Sequence, residues 1–324
     1  MSDKTAEELK KDRMIENLLR DDMEQFIPFL EDELVTDIAV TDSGELIITK
    51  WGEGRVFTGI MIPTYITERI IKAASYCIGR PLESYTGFPI LEGRLPKYDC
   101  RITGLMPPNV NRAELQLRKP PRKIHTLEEY VQNGQMTQEQ YETIVQAIET
   151  RKNIIISGAT GTGKSTLANA CIKKMVDFTP SDNFYIVEDT PELQCTARMK
   201  TMLTINAEDA AKAVKEALRF SPDRIIFGEV REGIVIKELL DAWKTGHSGN
   251  LTTIHANDGA STLLRIKGKV NQFDSELADN LSEVINLVIH LKKTEDKKVR
   301  VNEIYNVTED TDDFLAGIIQ NNLA

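Results

Sequence analysis

No apolar run in this 324-residue chain approaches the ~20 residues that a membrane-spanning helix needs. Any membrane contact therefore has to be peripheral or made through a partner. Positive charge is also in short supply: 40 Lys and Arg stand against 50 Asp and Glu, for a net charge of −10. That excludes the general basic surface of a dedicated nucleic-acid binder, though not a local basic patch. Cysteine is sparse and scattered (Cys77, Cys100, Cys171, Cys195), with no C-x-x-C, so neither a zinc site nor a disulfide framework is expected. There is no internal repeat and no low-complexity tract. The N-terminal stretch is charged rather than apolar, so no signal peptide is expected and the thiols read as reduced and cytosolic.

What remains is an ordinary globular composition on a chain longer than one core usually supports, so two domains are expected. Residues 1–22 are rich in Lys, Glu and Asp with a thin apolar pattern (Leu9, Ile15, Leu18, Leu19), which reads as a solvated helix or tail. Residues 23–118 read as a smaller α+β domain. Short strands are expected at Ile38–Val40, Leu46–Thr49 and Arg55–Gly59, a turn at Asp42-Ser43-Gly44, and a helix over Thr67–Ile78. The prolines of Lys119-Pro120-Pro121-Arg122-Lys123 stop both helix and strand, which places a linker over 119–126. Over 127–324, helical and strand-like segments alternate, as in a largely parallel sheet flanked by helices. Its helices include Thr137–Glu149, and its strands 153–157, 184–188, 201–204, 224–228 and 251–255.

The most informative stretch is Asn153–Thr166. A β-branched run, Ile154 to Ile156, ends at Gly158 and opens into G-x-x-x-x-G-K-S, which then enters a helix-like segment, Thr166–Val176. This is a phosphate-binding loop in its strand–loop–helix context. Gly158, Gly161 and Gly163 let the backbone turn so that the N–H groups of Gly158, Ala159, Thr160, Gly161, Thr162, Gly163 and Thr166 can converge on an anion. The helix N-terminus adds partial positive charge. Lys164 can reach the outer phosphates, and the Ser165 hydroxyl can ligate Mg²⁺.

Three further clusters sit at expected strand ends, where ligands of open α/β sheets bind. The first ends in Glu188-Asp189, two carboxylates able to hold Mg²⁺ through water or orient a nucleophile. The second, Arg224 to Arg231, places Gly228 where many such motifs carry a metal-holding Asp, leaving Glu229 to polarise the attacking water. Arg231 either is structural, pairing with a helix, or reaches a phosphate across a subunit boundary. The third, Thr245 to Asn257, begins with a Gly-rich stretch free to move. It then alternates Thr253, His255 and Asn257 along a strand, which points to His255 as a γ-phosphate sensor.

In this order the motifs resemble the Walker A, Asp, Walker B and His boxes of the traffic ATPases of bacterial secretion. Arg224 to Arg231 and Ala242 to Gly249 are most similar to the TrbB-type conjugal-transfer ATPases, relatives of the VirB-system ATPase. Arg101 to Pro108 and Leu117 to Pro120 resemble segments before the hinge. The resemblance implies a RecA-like P-loop NTPase C-terminal domain, α/β in class, behind a smaller α+β N-terminal domain. It further implies ATP and Mg²⁺ as cofactors, a cytoplasmic homohexameric ring peripheral at the inner membrane, and secretion-channel proteins as partners. Lys164, Glu188, Glu229 and His255 would be catalytic, with Ser165 on the metal and Glu188 on it through water. Arg101 and Arg118 would reach the nucleotide from the N-terminal domain. The paired cysteines of some pilus and type II secretion ATPases are absent. A nucleotide-gated scaffold without turnover and a RecA-type DNA motor are the rival readings; no strong case for direct nucleic-acid binding exists.

Overall fold

The computed structural model describes residues 17, 20–78, 82, 90–95, 100–119, 123–295 and 298–323. Most of the expected N-terminal segment 1–22, and residues 120–122 of the expected linker, lie outside them. The chain divides into two compact units after Lys123.

The first unit is built on a six-stranded antiparallel sheet of β1 (Val35–Val40), β2 (Glu45–Lys50), β3 (Gly54–Met61), β4 (Ile90–Leu95), β5 (Cys100–Leu105) and β6 (Glu114–Arg118). Their order across the sheet is β3-β2-β1-β6-β5-β4. Helix α1 (Thr64–Cys77) lays Ile70, Ile71 and Ala74 on one face of this sheet. Two glycines set how close it comes: a Cβ on Gly104 would lie 2.8 Å from Ile71, and one on Gly93 2.7 Å from Ile78. Lys119, expected in the linker, is instead buried here, its N–H donating to the Thr36 carbonyl at 2.9 Å and its ammonium to that of Phe29 at 3.0 Å.

The second unit opens with α2 (Leu127–Gln132) and α3 (Gln138–Glu149). Each is started by a threonine, Thr126 and Thr137, that accepts from the third helical N–H. There follow β7 (Ile154–Gly158), α4 (Lys164–Phe178), β8 (Asn183–Glu188), β9 (Met199–Thr204), α5 (Ala210–Ala217) and β10 (Arg224–Phe227). The unit continues with α6 (Gly233–Lys244), β11 (Leu251–Ile254), α7 (Gly259–Val270), β12 (Leu287–Lys293), β13 (Val299–Asn306) and α8 (Glu309–Leu323). The seven strands lie in the order β13-β12-β7-β11-β10-β8-β9, parallel except where β13 returns along β12. The five expected strands all form, with ends shifted by one or two residues. Strands β7, β8, β10 and β11 are buried on both faces, which is why they read as continuous apolar runs rather than alternating ones.

At the amino ends of these strands a polar lattice closes the sheet. Asn153 accepts from the Asn250 main-chain N–H (3.1 Å) and side-chain amide (2.9 Å), and Asn250 accepts from the Ile225 N–H at 2.7 Å. Arg224, with no exposed side-chain surface, donates to Asp182 (2.8 Å), Gly249 O (2.7 Å) and Thr179 (3.1 Å). The Gly-rich stretch 245–250, expected to be free to move, is instead tied down at the amino end of β11. Gly249 takes φ +81° there, and a Cβ on it would strike the Arg224 guanidinium.

Candidate nucleotide site

At the carboxyl end of the same sheet β7 turns into the loop 158–165. Gly158 has φ +154°, and a Cβ there would lie 2.6 Å from both Leu291 O and Thr162 Oγ1, so no other residue fits. Thr162 is buried and closes the turn by donating its hydroxyl to Ala159 O at 2.8 Å. Ala159, Thr160 and Gly161 form the exposed rim, and Gly163, at φ +76°, caps α4. This brings the loop amides together with the α4 N-terminus, as anion binding requires.

Lys164 is buried beneath that loop. Its ammonium donates to Gly158 O (3.2 Å) and Ala159 O (3.4 Å), and lies 3.1 Å from His255 Nδ1 and 3.6 Å from Glu229 Oε1. Burial pushes its pKa down, and the Glu229 carboxylate opposes that shift. Glu229 also meets His255 Nε2 at 2.8 Å. Nδ1 faces both the Lys164 ammonium and, at 3.2 Å, the Gly158 carbonyl, while Nε2 can donate to the Glu229 carboxylate. Lys164, Glu229 and His255, far apart in sequence, thus form one connected cluster.

Arg231 belongs to it. Both Nε (2.9 Å) and Nη2 (2.6 Å) donate to Glu229 Oε2, and Nη1 lies 2.9 Å from Asp189 Oδ2. Of the two readings of Arg231, the structure shows pairing inside its own site, with carboxylates rather than with a helix.

The two residues expected at the metal have different partners. The Ser165 hydroxyl donates to Glu192 Oε2 at 2.6 Å, whereas Glu188 Oε2 accepts the main-chain N–H groups of Glu192 (2.8 Å) and Leu193 (2.9 Å). Glu188 is buried, and burial raises its pKa while the two amides oppose the rise. It braces the loop that carries Glu192 to Ser165. Sequence reasoning missed Glu192; the available signal was a third acid soon after Glu188-Asp189. The absent Asp at 228 has a steric reason, since a Cβ on Gly228 would lie 2.9 Å from the Glu188 Cβ. The oxygens of Ser165 and Glu192 fit a magnesium ion, which prefers such donors and keeps several waters. Among the described residues no group of three His, Cys, Asp or Glu is arranged to hold a metal by itself.

The alternation through Thr253, His255 and Asn257 does not extend as expected. β11 ends at Ile254, Thr253 donates to Gly228 O at 2.7 Å, and Asn257 is exposed beyond the strand. In the first unit, Arg101 and Arg118 are direct cross-strand partners of β5 and β6, and Arg94 on β4 stands opposite Arg101. Arg118 donates to Asp37 Oδ1 at 3.0 Å.

Residues 61–315 match the family described as type II/IV secretion system protein. The chain belongs to that family. This secretion-system protein is 36% identical over 286 residues to the conjugal transfer protein TrbB of Rhizobium radiobacter, an overlap of 88% of this chain and 87% of that one. It is 32% identical over 174 residues to the type IV secretion system protein VirB11 of Bartonella henselae, covering 49% and 48% of the two chains. Among solved structures, the Legionella pneumophila ATPase DotB superposes with a TM-score of 0.65 at 22% identity, over 91% of this chain and 83% of that one. The fold class follows: a RecA-like P-loop NTPase unit that comes after a smaller α+β unit in the chain. Among the described residues no helix is long and apolar enough to cross a membrane.

Proposed function

We propose that this chain is an ATP-hydrolysing motor of a bacterial type IV secretion or conjugation system. Its work is to power pilus assembly or substrate transfer through nucleotide-driven domain motion in a ring. The observation that carries this reading is the cluster of Lys164, Glu229 and His255 beneath a glycine-built phosphate loop. Phosphoryl transfer to water asks mainly for positioning and charge stabilisation. Lys164 would trade loop carbonyls for phosphate oxygens, and Glu229 would orient the attacking water. His255, joined to both, would register the γ-phosphate. Ser165 would hold Mg²⁺, with Glu188 on it through water and Glu192, beside Ser165, as a further candidate; the ion's charge would neutralise the phosphate oxygens. Arg101 and Arg118 remain candidates to meet the phosphates, and the linker between the units would carry the motion. The ring is proposed as a homohexamer, cytoplasmic and peripheral at the inner membrane, partnered by secretion-channel proteins.

The test is phosphate release from ATP over a wide range of protein concentration, beside Glu229→Gln. Specific activity should climb with concentration, as assembly requires. The variant should bind ATP yet turn it over about 10²–10⁴-fold more slowly. A rate independent of concentration removes the support for a ring. Absence of turnover favours the nucleotide-gated scaffold, and stimulation by DNA with salt-sensitive binding favours the DNA motor.

A further inference from the structure

Behind the phosphate loop, on the sheet face covered by α6 and α7, lies a strip of polar side chains that the chemistry above does not use. β12 runs parallel to β7 with His290 opposite Ser157 and Leu291 opposite Gly158. Both polar residues are buried, Ser157 at 0% and His290 at 2% exposure, and Ser157 Oγ lies 3.1 Å from His290 Nδ1. On the other side of β12, His290 is the register partner of Glu303 on β13. Glu303 Oε2 accepts the N–H of Gly259, the first residue of α7, at 3.0 Å. Gly259 is needed for that approach: a Cβ there would lie 3.2 Å from the same oxygen and 3.0 Å from Tyr305 Cβ. Asp258 caps the same helix by accepting from Ser261 N–H at 2.6 Å.

The two ends of this strip are the two sides of the nucleotide site. Ser157 is the last residue before the phosphate loop, and α7 begins shortly after His255. Polar groups placed in an apolar interior are costly unless paired, and a fully paired set fixes position more sharply than packing does. We propose that His290 is a positioning residue of the nucleotide site. From β12 it sets the base of the phosphate loop, through Ser157, relative to the helix that follows His255.

The ring faces Ser157 from β7, Glu303 from β13, Asp258 from the α7 cap and Lys292 on its own strand. Burial lowers its pKa; Glu303 and Asp258 oppose that and Lys292 adds to it. The ring is therefore neutral at pH 7, with Nδ1 able to accept. On protonation both ring nitrogens become donors, and Ser157 must reverse its hydroxyl to keep the contact.

This inference rests on the reading that the loop binds nucleotide, and one experiment separates the two. The full-length protein and His290→Leu, His290→Asn and Ser157→Ala are titrated with a fluorescent ATP analogue from pH 5 to 8, with melting temperatures recorded alongside. His290→Leu and Ser157→Ala should each weaken binding about five- to tenfold at pH 7.5, the value of one internal hydrogen bond. The double variant should add little, because both remove the same contact. Asn places a hydrogen-bonding atom where Nδ1 stood, so His290→Asn should recover binding to within about twofold. Wild-type affinity should fall on acidification below about pH 6.5, and His290→Asn should lack that fall. Variants that lower the melting temperature but bind as the wild type does would reduce His290 to packing. An unchanged acid fall in His290→Asn would place the titration elsewhere. Wild-type protein that binds no nucleotide sinks the functional reading instead. Should His290→Leu not fold, Ser157→Ala and His290→Asn decide alone.

Discussion

The two ends of the parallel sheet are built from the same materials and do opposite things. At the amino end, Asn153, Asn250, Asp182 and Arg224 saturate one another and the strand starts, and Arg224 is wholly enclosed. At the carboxyl end, Lys164 rests on main-chain carbonyls, and one carboxylate, Glu229, is shared among lysine, histidine and arginine. The first arrangement leaves nothing for a ligand to improve. In the second, a buried cation held by neutral oxygens and only a share of one carboxylate gains from an anion that enters. Polar density alone does not mark a functional site; how fully its members are already satisfied does.

Breaking the carboxyl end should give the largest effect on activity and almost none on stability. Lys164→Ala should abolish turnover, while its melting temperature stays at or above that of the wild type. The reason is that Glu229 keeps His255 and Arg231 as partners when the buried ammonium is removed. Wild-type turnover in this variant would overturn the assignment, and a large drop in melting temperature would overturn the contrast between the ends.

Breaking the amino end should do the reverse. Asp182→Asn strands Arg224 without its buried counter-ion and should cost about 3–5 kcal/mol in denaturant unfolding. The folded fraction should still bind ATP. The pH dependence of this pair has a definite sign. Burial pushes the Asp182 carboxyl up, but hydrogen bonds from Thr179, Arg224 and Arg151 outweigh it, so its pKa is lowered on folding. Its contribution is fully present above the ordinary aspartate value of about 3.9 and is lost as pH falls through the lower folded value. Melting curves from pH 2.5 to 6 should show an acid step that Asp182→Asn lacks.

The smallest effect sharpens the contrast. Asn250→Ala leaves the Ile225 N–H without its partner and removes one of the two hydrogen bonds that Asn153 Oδ1 accepts, and should cost about 1–3 kcal/mol, read as a shift in the unfolding midpoint. A change in ATP affinity at constant stability would show that the amino end communicates with the site.

Sequence made the carboxyl end more legible than the amino end. A phosphate loop is written in consecutive residues, because one turn of backbone must do the binding, so Gly158 to Ser165 could be read directly. Glu229 and His255 were legible through a weaker rule, that ligands lie beyond strand ends. That rule could not tell which end of β11 a polar residue occupies. The stretch 245–250 was therefore grouped with His255, although it lies at the opposite end. Strands β4, β5, β6, β12 and β13 were not read at all. Strand β12 is a short apolar run ending in two lysines, and only its pairing with β7 makes it a central strand.

By itself, then, the sequence determined the phosphate loop, the alternation of strands and helices behind it, and the identity of the acids and the histidine available at strand ends. These are local properties, set by backbone freedom at glycine, by side-chain period and by residue chemistry. Only the tertiary structure decided which acid meets which group: Glu192 rather than Glu188 on Ser165, Arg231 on Glu229, and Glu188 beside Gly228 where an Asp was missed. Those choices depend on strand order and on how closely neighbouring backbones pass, and such distances are fixed by packing between segments that lie far apart in the chain.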